Sequence, residues 1–505
     1  MNGIIFLVFL SLVGADQTLN LSLQDAVRIA LENNRDIQIQ RQNVEISRGN
    51  ILTQKGIFDP LLNLSSSYQD AINPTTSALI VGFSTETKTS TVGSSVTGNL
   101  PTGTFYNILN FSLTRSTTDS PIVSLSPNLS TAIGFSIGQN LLRNFGLDVN
   151  LTPINVAKKS SQISVKELRR IISDTLLNVE AAYWNVVGAK KNLEVAKTTL
   201  ESDKDVQRRN EIQVEVGTLP ALSVTQAKAE VARDEVNVIL TENALKADED
   251  NLKNILAIPP TENIALTDEP TTIIKSFDEN EAYKEALEKR PEMAEARLDI
   301  ESKEIQKKFA SNQRLPSLSI QGTVLYQGLG GGENPNRLLG IGSGTLPPIP
   351  PEFNGSTQAF SNLFAGDFPT WEILGVFSYP LFNWTAKGNY VQASASLDRS
   401  VITLKQTEEN VELDISNAFR LLGSSIRGIN AAKTSVELAE EVLRDNQEKL
   451  EVGVGTTRDV IDAQRDLVTA RSEYILAIVS YNIALAQVEH AKGTILESRN
   501  VKINE

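Results

Sequence analysis

The sequence predicts a mainly α-helical protein with a smaller β-stranded part, in which one structural plan occurs twice in tandem. Three observations support this fold class. Long segments repeat apolar residues every 3.5 positions, two other regions alternate apolar and polar residues, and landmarks of the first half recur in the second. A sustained 3.5-residue period is typical of left-handed coiled coils, and a two-residue period is typical of β-strands.

The composition excludes several classes of protein. The 505 residues carry 61 acidic and 47 basic side chains, a net charge of −14, whereas a protein that coats nucleic acid needs a basic surface. The absence of cysteine excludes disulfides, thiolate metal sites and a cysteine nucleophile. A single histidine, His490, leaves little for a histidine metal site or a Ser-His triad. We therefore predict no enzyme activity, no cofactor, no metal and no nucleic-acid partner.

The chain opens with an apolar run, residues 4–13 (IIFLVFLSLV), followed by Gly14-Ala15-Asp16. A run of this length covers about half of a bilayer as a helix and is typical of the core of a secretory signal peptide. We predict a signal peptide over residues 1–15, cut after Ala15. An ordinary buried segment is the alternative.

Two tandem halves share one order of elements. Residues 26–32 (AVRIALE) align with residues 282–288 (AYKEALE) at an offset of 256, and Gly217 aligns with Gly453 at an offset of 236. The predicted organisation is a first repeat over 16–265, a proline-bearing linker over 259–276, a second repeat over 275–496 and a flexible tail over 497–505.

Each half begins with a helix, continues with strands and ends with a pair of long helices. The first helices begin at acidic capping boxes, Ser22 with Asp25 and Asp278 with Glu281. The predicted elements are helices 24–56 and 279–313, strand regions 60–145 and 316–384, and helical hairpins 158–257 and 390–495. The glycines and prolines of 327–369 predict an irregular loop.

The strand regions alternate apolar residues with small hydroxyl side chains. Leu62 and Leu64, for example, alternate with Asn63 and Ser65. This pattern fits a barrel strand with lipid on one side and water on the other, and it fits a half-buried soluble sheet equally well. The stretch 87–115 predicts an additional hairpin, whose place in the fold the sequence leaves open.

The duplication, the element order and the glycine-containing hairpin tips together resemble the TolC-like outer-membrane efflux protein family. The family's recurring landmarks are matched by Ala26…Ala30-Leu31, Phe58-Asp59-Pro60, Tyr379-Pro380-Leu381-Phe382-Asn383 and Asp459-Val460-Ile461-Asp462-Ala463-Gln464. The resemblance implies a homotrimer in the cell outer membrane, in which a twelve-stranded barrel, four strands from each protomer, continues as an antiparallel coiled-coil tube through the periplasm. Four strands cannot close a membrane barrel, which needs at least about eight, and an open edge in lipid leaves backbone groups unsatisfied.

The resemblance also implies the function and the partners. The chain is expected to be a passive exit duct of a tripartite efflux or type I secretion system, surrounded by outer-membrane lipid. A periplasmic adaptor (membrane fusion protein) and an inner-membrane pump of RND, ABC or MFS type are the expected partners. The alternative is a non-transport periplasmic coiled-coil scaffold or adaptor with a soluble β domain.

Two sets of residues are candidates for functional sites by the same resemblance. The adaptor-docking tips are Val216, Gly217, Thr218, Val452, Gly453, Gly455 and Thr456, although a glycine there also serves as an ordinary helix cap. The periplasmic gate is assigned to Asp459 and Asp462, with Arg458 as a cation that ties the hairpins together. Asp459 and Asp462 lie at i and i+3, so threefold symmetry would bring six carboxylates to the axis. A solvated helix N-terminus, where aspartate is favoured by the helix dipole, is the alternative for both.

Overall fold

The computed structural model of the chain describes residues 19–77, 80, 82–337 and 347–501. The predicted signal peptide, 1–15, and residues 502–505 of the predicted tail lie outside the described residues. The strands are β1 (Leu19–Leu21), β2 (Leu61–Pro74), β3 (Ser84–Asn99), β4 (Thr104–Thr118), β5 (Leu125–Asn140), β6 (Ile264–Leu266), β7 (Ser317–Glu333) and β8 (Phe368–Ser378). The helices are α1 (Leu23–Asn33), α2 (Arg35–Lys55), α3 (Leu147–Asn150), α4 (Thr152–Glu215), α5 (Ala221–Leu256), α6 (Glu279–Lys289), α7 (Pro291–Asn312), α8 (Thr357–Ala365), α9 (Trp384–Glu451), α10 (Thr457–Ala491) and α11 (Ile495–Ser498).

The chain divides into two compact units, each of which takes residues from both halves of the sequence. The helical unit comprises Met1–Ile46, Ser161–Asp299 and Val401–Glu505, and the sheet unit comprises Ser47–Ser160 and Ile300–Ser400. In the part of the chain that the structure describes, no helix has a stretch both long and apolar enough to cross a bilayer.

Each predicted N-terminal helix is in fact two helices. The helix predicted over 24–56 is α1 and α2, separated at Asn34, whose side-chain oxygen accepts hydrogen bonds from the backbone N–H groups of Asp36 and Ile37. The helix predicted over 279–313 is α6 and α7, separated at Arg290. Pro291 explains this break, because proline lacks an N–H donor and disfavours the helical conformation of the preceding residue. The two predicted capping residues are confirmed, since Ser22 and Asp278 each accept from the backbone three residues on.

Two buried tyrosines fix the linker against the helical unit. The Tyr183 hydroxyl donates to the carbonyl of Leu21 and accepts from the backbone N–H of Asp268. The Tyr481 hydroxyl donates to Ile273 and accepts from Lys275. Both rings are fully buried in apolar clusters of the long helices. Burial of a phenol stabilises the fold only where its hydroxyl has partners, and here the linker backbone supplies them.

Six strands of the sheet unit form one antiparallel sheet among the described residues. Its order is β2-β3-β4-β5-β7-β8. The sheet therefore has two strands more than the four per protomer that the sequence analysis predicts for a barrel. The additional hairpin predicted over 87–115 is β3 and β4, and it lies between β2 and β5 in continuous register. A β-bulge at Leu109, where φ is +53°, absorbs one extra residue and restores the alternation of the two faces.

The loop predicted over 327–369 is partly structured, with residues 338–346 outside the described part. Strand β7 continues through Gly328 and Gly330 to Glu333, and α8 packs on the sheet there. A Cβ atom on Gly328 would lie 1.9 Å from the carbonyl oxygen of Ala359, which accepts a 2.8 Å hydrogen bond from Thr131 Oγ1. The glycines that predict a loop are thus required for the close approach of a helix.

Candidate functional site

The sheet presents two chemically different faces. Strand register places one set of side chains on an apolar face, which includes Leu62, Leu64, Val92, Leu113, Ile133, Val324, Trp371 and Ile373. The opposite face is polar and includes Asn63, Ser65, Ser67, Thr91, Ser112, Thr114, Ser130 and Thr323. On the apolar face Leu64 is 74% exposed and Trp371 is 75% exposed. An apolar surface of this extent is typical of a binding or membrane-facing surface, and it lies back to back with a hydrophilic one.

The two outermost strands are exposed on both faces and along one edge. Every residue of β8 is exposed, and so is every residue of β2 except Ala71. Within the described residues, β2 pairs only with β3 and β8 pairs only with β7. Unpaired, hydrophobic edge strands template further pairing.

The two predicted tips have the same backbone geometry. Gly217 follows α4 with φ +79°, and Gly453 follows α9 with φ +80°. The next residue in each tip donates its N–H back into the helix, from Thr218 to Gln213 O and from Val454 to Lys449 O. This is a Schellman ending, which explains the glycines by conformation alone. The side chains beside them remain exposed, with Val216 and Val452 directed to solvent.

Asp459 acts as a helix cap in this structure. The Thr456 hydroxyl and backbone N–H both donate to Asp459 Oδ2, and the Asp459 N–H donates to Thr456 Oγ1. The hydrogen bonds from Thr456 hold the pKa of the Asp459 carboxyl below its usual value. The alternative that the sequence analysis left open, a capped and solvated helix N-terminus, therefore describes Asp459 in this structure. The Asp459 carboxylate is exposed to solvent.

Asp462 lies between two arginines of its own helix. Arg458 Nε and Arg465 Nη1 each lie 3.5 Å from its carboxylate. Arg465 also contacts Glu230 of α5 at 3.0 Å, so it links the second hairpin to the first. Arg458, to which the sequence analysis assigned the tie between hairpins, contacts only Asp462 of its own helix among the ion pairs of the described residues, whereas Arg465 reaches the first hairpin.

The sequence analysis missed a buried acidic cluster, formed by Asp203 of α4 with Glu230 and Asp234 of α5. One carboxylate oxygen of each lies within 4.8 Å of the others. Asp203 is 6% exposed and Glu230 is 8% exposed. Burial, followed by the hydrogen bond and charge of Asp234 and the charge of Glu230, raises the pKa of Asp203 to about 8. One signal was available in the sequence, because Asp203 occupies an apolar position of the 3.5-residue repeat.

The cluster is already compensated by protein groups. Arg233 and Arg465 both donate to the Glu230 carboxylate at 2.8 to 3.2 Å. With its pKa raised to about 8, Asp203 is protonated at neutral pH. Three carboxylate oxygens at this spacing can coordinate a cation, but two guanidinium groups and one proton balance the same charges here.

Comparison with known proteins defines the class. The sequence pattern of the family described as Outer membrane efflux protein matches residues 26–257 and 282–494. Outer membrane protein TolC of Vibrio cholerae is 22% identical over 355 residues, which cover 70% of this chain and 75% of that protein. Outer membrane protein TolC of Escherichia coli strain K12 is 25% identical over 342 residues, which cover 65% of this chain and 63% of that protein. The solved outer-membrane channel OprN has the same fold, with a TM-score of 0.66 and 15% identity over 94% of this chain and 90% of that one.

The fold and its two-faced sheet thus define an outer-membrane channel protein. The chain belongs to the outer membrane efflux protein family, because the family pattern matches most of its length. It is an efflux duct of the cell outer membrane that extends into the periplasm. Members of this family are channels, not enzymes.

Proposed function

We propose that the chain is the outer-membrane exit duct of a tripartite efflux or type I secretion system, assembled as a homotrimer and passive in transport. A periplasmic adaptor docks on the duct, and an inner-membrane pump of RND, ABC or MFS type supplies the energy for transport. The observation that carries this proposal is the open sheet, apolar on one face and hydroxyl-rich on the other, in a member of an efflux family. Lipid fits the first face and a water-filled lumen fits the second.

Closure of the sheet requires more than one copy. Six strands are fewer than the eight or so that the smallest membrane barrels contain. The edge strands β2 and β8 run in opposite directions, because the sheet is antiparallel and has an even number of strands. One copy's β8 and the next copy's β2 therefore continue the same antiparallel ladder, and a ring of copies leaves no backbone edge in lipid.

The tandem repeat and the hairpin tips support docking of an adaptor. Both tips, Val216-Gly217-Thr218 and Val452-Gly453 with Gly455-Thr456, expose apolar side chains on a backbone fixed by hydrogen bonds into the preceding helix. Two rigid tips with exposed apolar side chains on each chain offer repeated binding sites around a trimer to a partner with apolar helices. We assign adaptor docking to these seven residues.

The first test is channel formation by the purified protein in planar bilayers. We expect discrete conducting channels with a preference for cations, because the carboxylates of Asp459 and Asp462 face solvent near the tips. A protein that leaves membranes on carbonate washing and adds no conductance would contradict the proposal and favour the scaffold alternative.

The gate assignment predicts a specific change in that conductance. We expect the double variant Asp459→Asn, Asp462→Asn to lose most of the cation preference and to conduct more, since six carboxylates of a trimer would become neutral. Asparagine keeps a side-chain acceptor for the Thr456 N–H, so the helix cap is retained. The double variant Asp466→Asn, Glu473→Gln, which removes two carboxylates at exposed positions of the same helix α10, serves as the control. Equal selectivity of the Asp459→Asn, Asp462→Asn variant and the wild type would remove both residues from the gate.

A further inference from the structure

The hairpin β3-β4 is an integral part of the sheet. It pairs with β2 over fourteen residue pairs, from Leu61 with Thr97 to Pro74 with Ser84, and with β5 from Thr104 with Gln139 to Ser116 with Asn128. Its side chains continue both faces, with Val92 and Leu113 on the apolar face and Thr91 and Thr114 on the polar face. A hairpin that folded elsewhere would not keep this alternation across three interfaces.

Removal of the hairpin would leave a four-stranded sheet, β2-β5-β7-β8, in which every pair of neighbouring strands is still antiparallel. Strands β2 and β4 run one way and β3 and β5 the other, so β2 and β5 are antiparallel with or without the insertion. The hairpin is thus an even-numbered insertion, which widens a sheet without reversing any strand. Among the described residues of the second half, which leave out 338–346, it has no counterpart, and β7 and β8 are the two strands of the sheet there.

We propose that three copies of this chain close an eighteen-stranded barrel through the edges of β2 and β8, wider than the twelve-stranded barrel that the sequence predicts. The inference rests on the trimer proposed above. Barrel diameter grows roughly in proportion to strand number, so eighteen strands give a bore about 1.5 times as wide as twelve. The polar residues Thr91, Ser112 and Thr114 line the added width.

The width of the bore sets the size of the solutes that the outer end of the duct admits. Most lumenal side chains of the hairpin are small hydroxyls or glycine, such as Thr89, Thr91 and Gly93. Asn107, Asn110 and the ring of Phe105 lie on the same face toward the β3–β4 turn, so the added space is left open along most of the hairpin. The outer end of this duct therefore accommodates bulkier solutes than a twelve-stranded end of the same tilt.

Disulfide mapping tests the strand order, and the chain offers a clean background because it has no cysteine. Ser112 and Ala132 are register partners on β4 and β5, within the reach of a disulfide. Ser65 of β2 lies in the same row but three strands from Ala132, about 14 Å away at the usual strand spacing. We expect the pair Ser112→Cys, Ala132→Cys to cross-link in outer-membrane vesicles and the pair Ser65→Cys, Ala132→Cys not to.

The number of copies is measured on the same preparations. Three chains per particle with the β4–β5 cross-link give eighteen strands, whereas two chains per particle would give twelve and overturn the inference. A β2–β5 cross-link in a conducting trimer would overturn the eighteen strands and leave the exit duct intact. A β4–β5 cross-link in a monomer without conductance would instead overturn the trimeric duct on which the inference depends.

A deletion of residues 84–118 supplies an independent readout. We expect the shortened chain to admit from the outside only polymers about one third smaller in diameter than those admitted by the full chain. An unchanged size limit in a deletion variant that still conducts would contradict the proposal. If the deletion variant does not assemble, the cysteine pairs decide the question.

Discussion

Arg499→Ala is expected to destabilise the helical unit by about 3 kcal/mol. The Glu180 side chain is only 1% exposed. Its two oxygens accept from Arg499 Nε and Nη2, both at 2.6 Å, in a bidentate pair. Truncation of the arginine leaves a carboxylate buried without its counter-charge, and the guanidinium itself is one-third exposed, which places the cost at the lower end for such pairs.

The matched variant separates this charge effect from simple loss of packing. We expect the melting temperature of Arg499→Ala to fall by roughly 6 °C and that of the double variant Arg499→Ala, Glu180→Gln to recover more than half of the loss. Both are measured on the purified protein in detergent. The buried-charge explanation is wrong if the double variant melts as low as Arg499→Ala, or if Arg499→Ala melts at the wild-type temperature.

Asp203→Asn is expected to stabilise the protein increasingly as the pH rises from 5 to 8. The folded-state pKa of Asp203 is about 8, against an ordinary value of 3.8. Between these values the folded chain holds a proton that the unfolded chain has lost, so wild-type stability falls as the pH rises. Above about 8 both states are deprotonated and the loss is complete.

The neighbours of Asp203 define the comparison. Asp234 and Glu230 face it from α5, Gln464 faces it from α10, and Arg465 and Arg233 hold Glu230. Asparagine imitates the protonated carboxyl and removes its titration. The difference in melting temperature between Asp203→Asn and the wild type should grow up to pH 8 and then remain constant. Asp205→Asn, on the exposed side of the same helix, should show no such trend. If the melting-temperature difference between Asp203→Asn and the wild type is equal at pH 5 and pH 8, the buried Asp203 carboxyl does not cause the pH dependence of stability.

Patterns that depend on one element alone were predictable from the sequence. The 3.5-residue repeat predicts the four long helices, which the structure contains as α4, α5, α9 and α10. The caps at Ser22 and Asp278 and the glycine turns at Gly217 and Gly453 are equally local, because each depends on a few consecutive residues.

Features that depend on packing between distant segments were not predictable. Alternation indicates that 87–115 forms strands, but only pairing with β2 and β5 places the hairpin inside the sheet. In the sequence Arg465 cannot be distinguished from other charged residues on the solvent side of a helix. Only the packing of α5 against α10 shows that it contacts Glu230. The predicted flexible tail begins inside α11 and contains Arg499, whose ion pair with Glu180 joins positions 319 residues apart in the sequence. Long-range contacts of this kind leave little trace in local periodicity.

The mass of the particle extracted from outer membranes in mild detergent tests the central claim most directly. The account holds that one chain carries an open sheet and that three chains together make the duct. It predicts a particle of three chains, stable after salt and carbonate washing, whose dissociation abolishes conductance. A single chain that is stable, free of bilayers and soluble without detergent would contradict it.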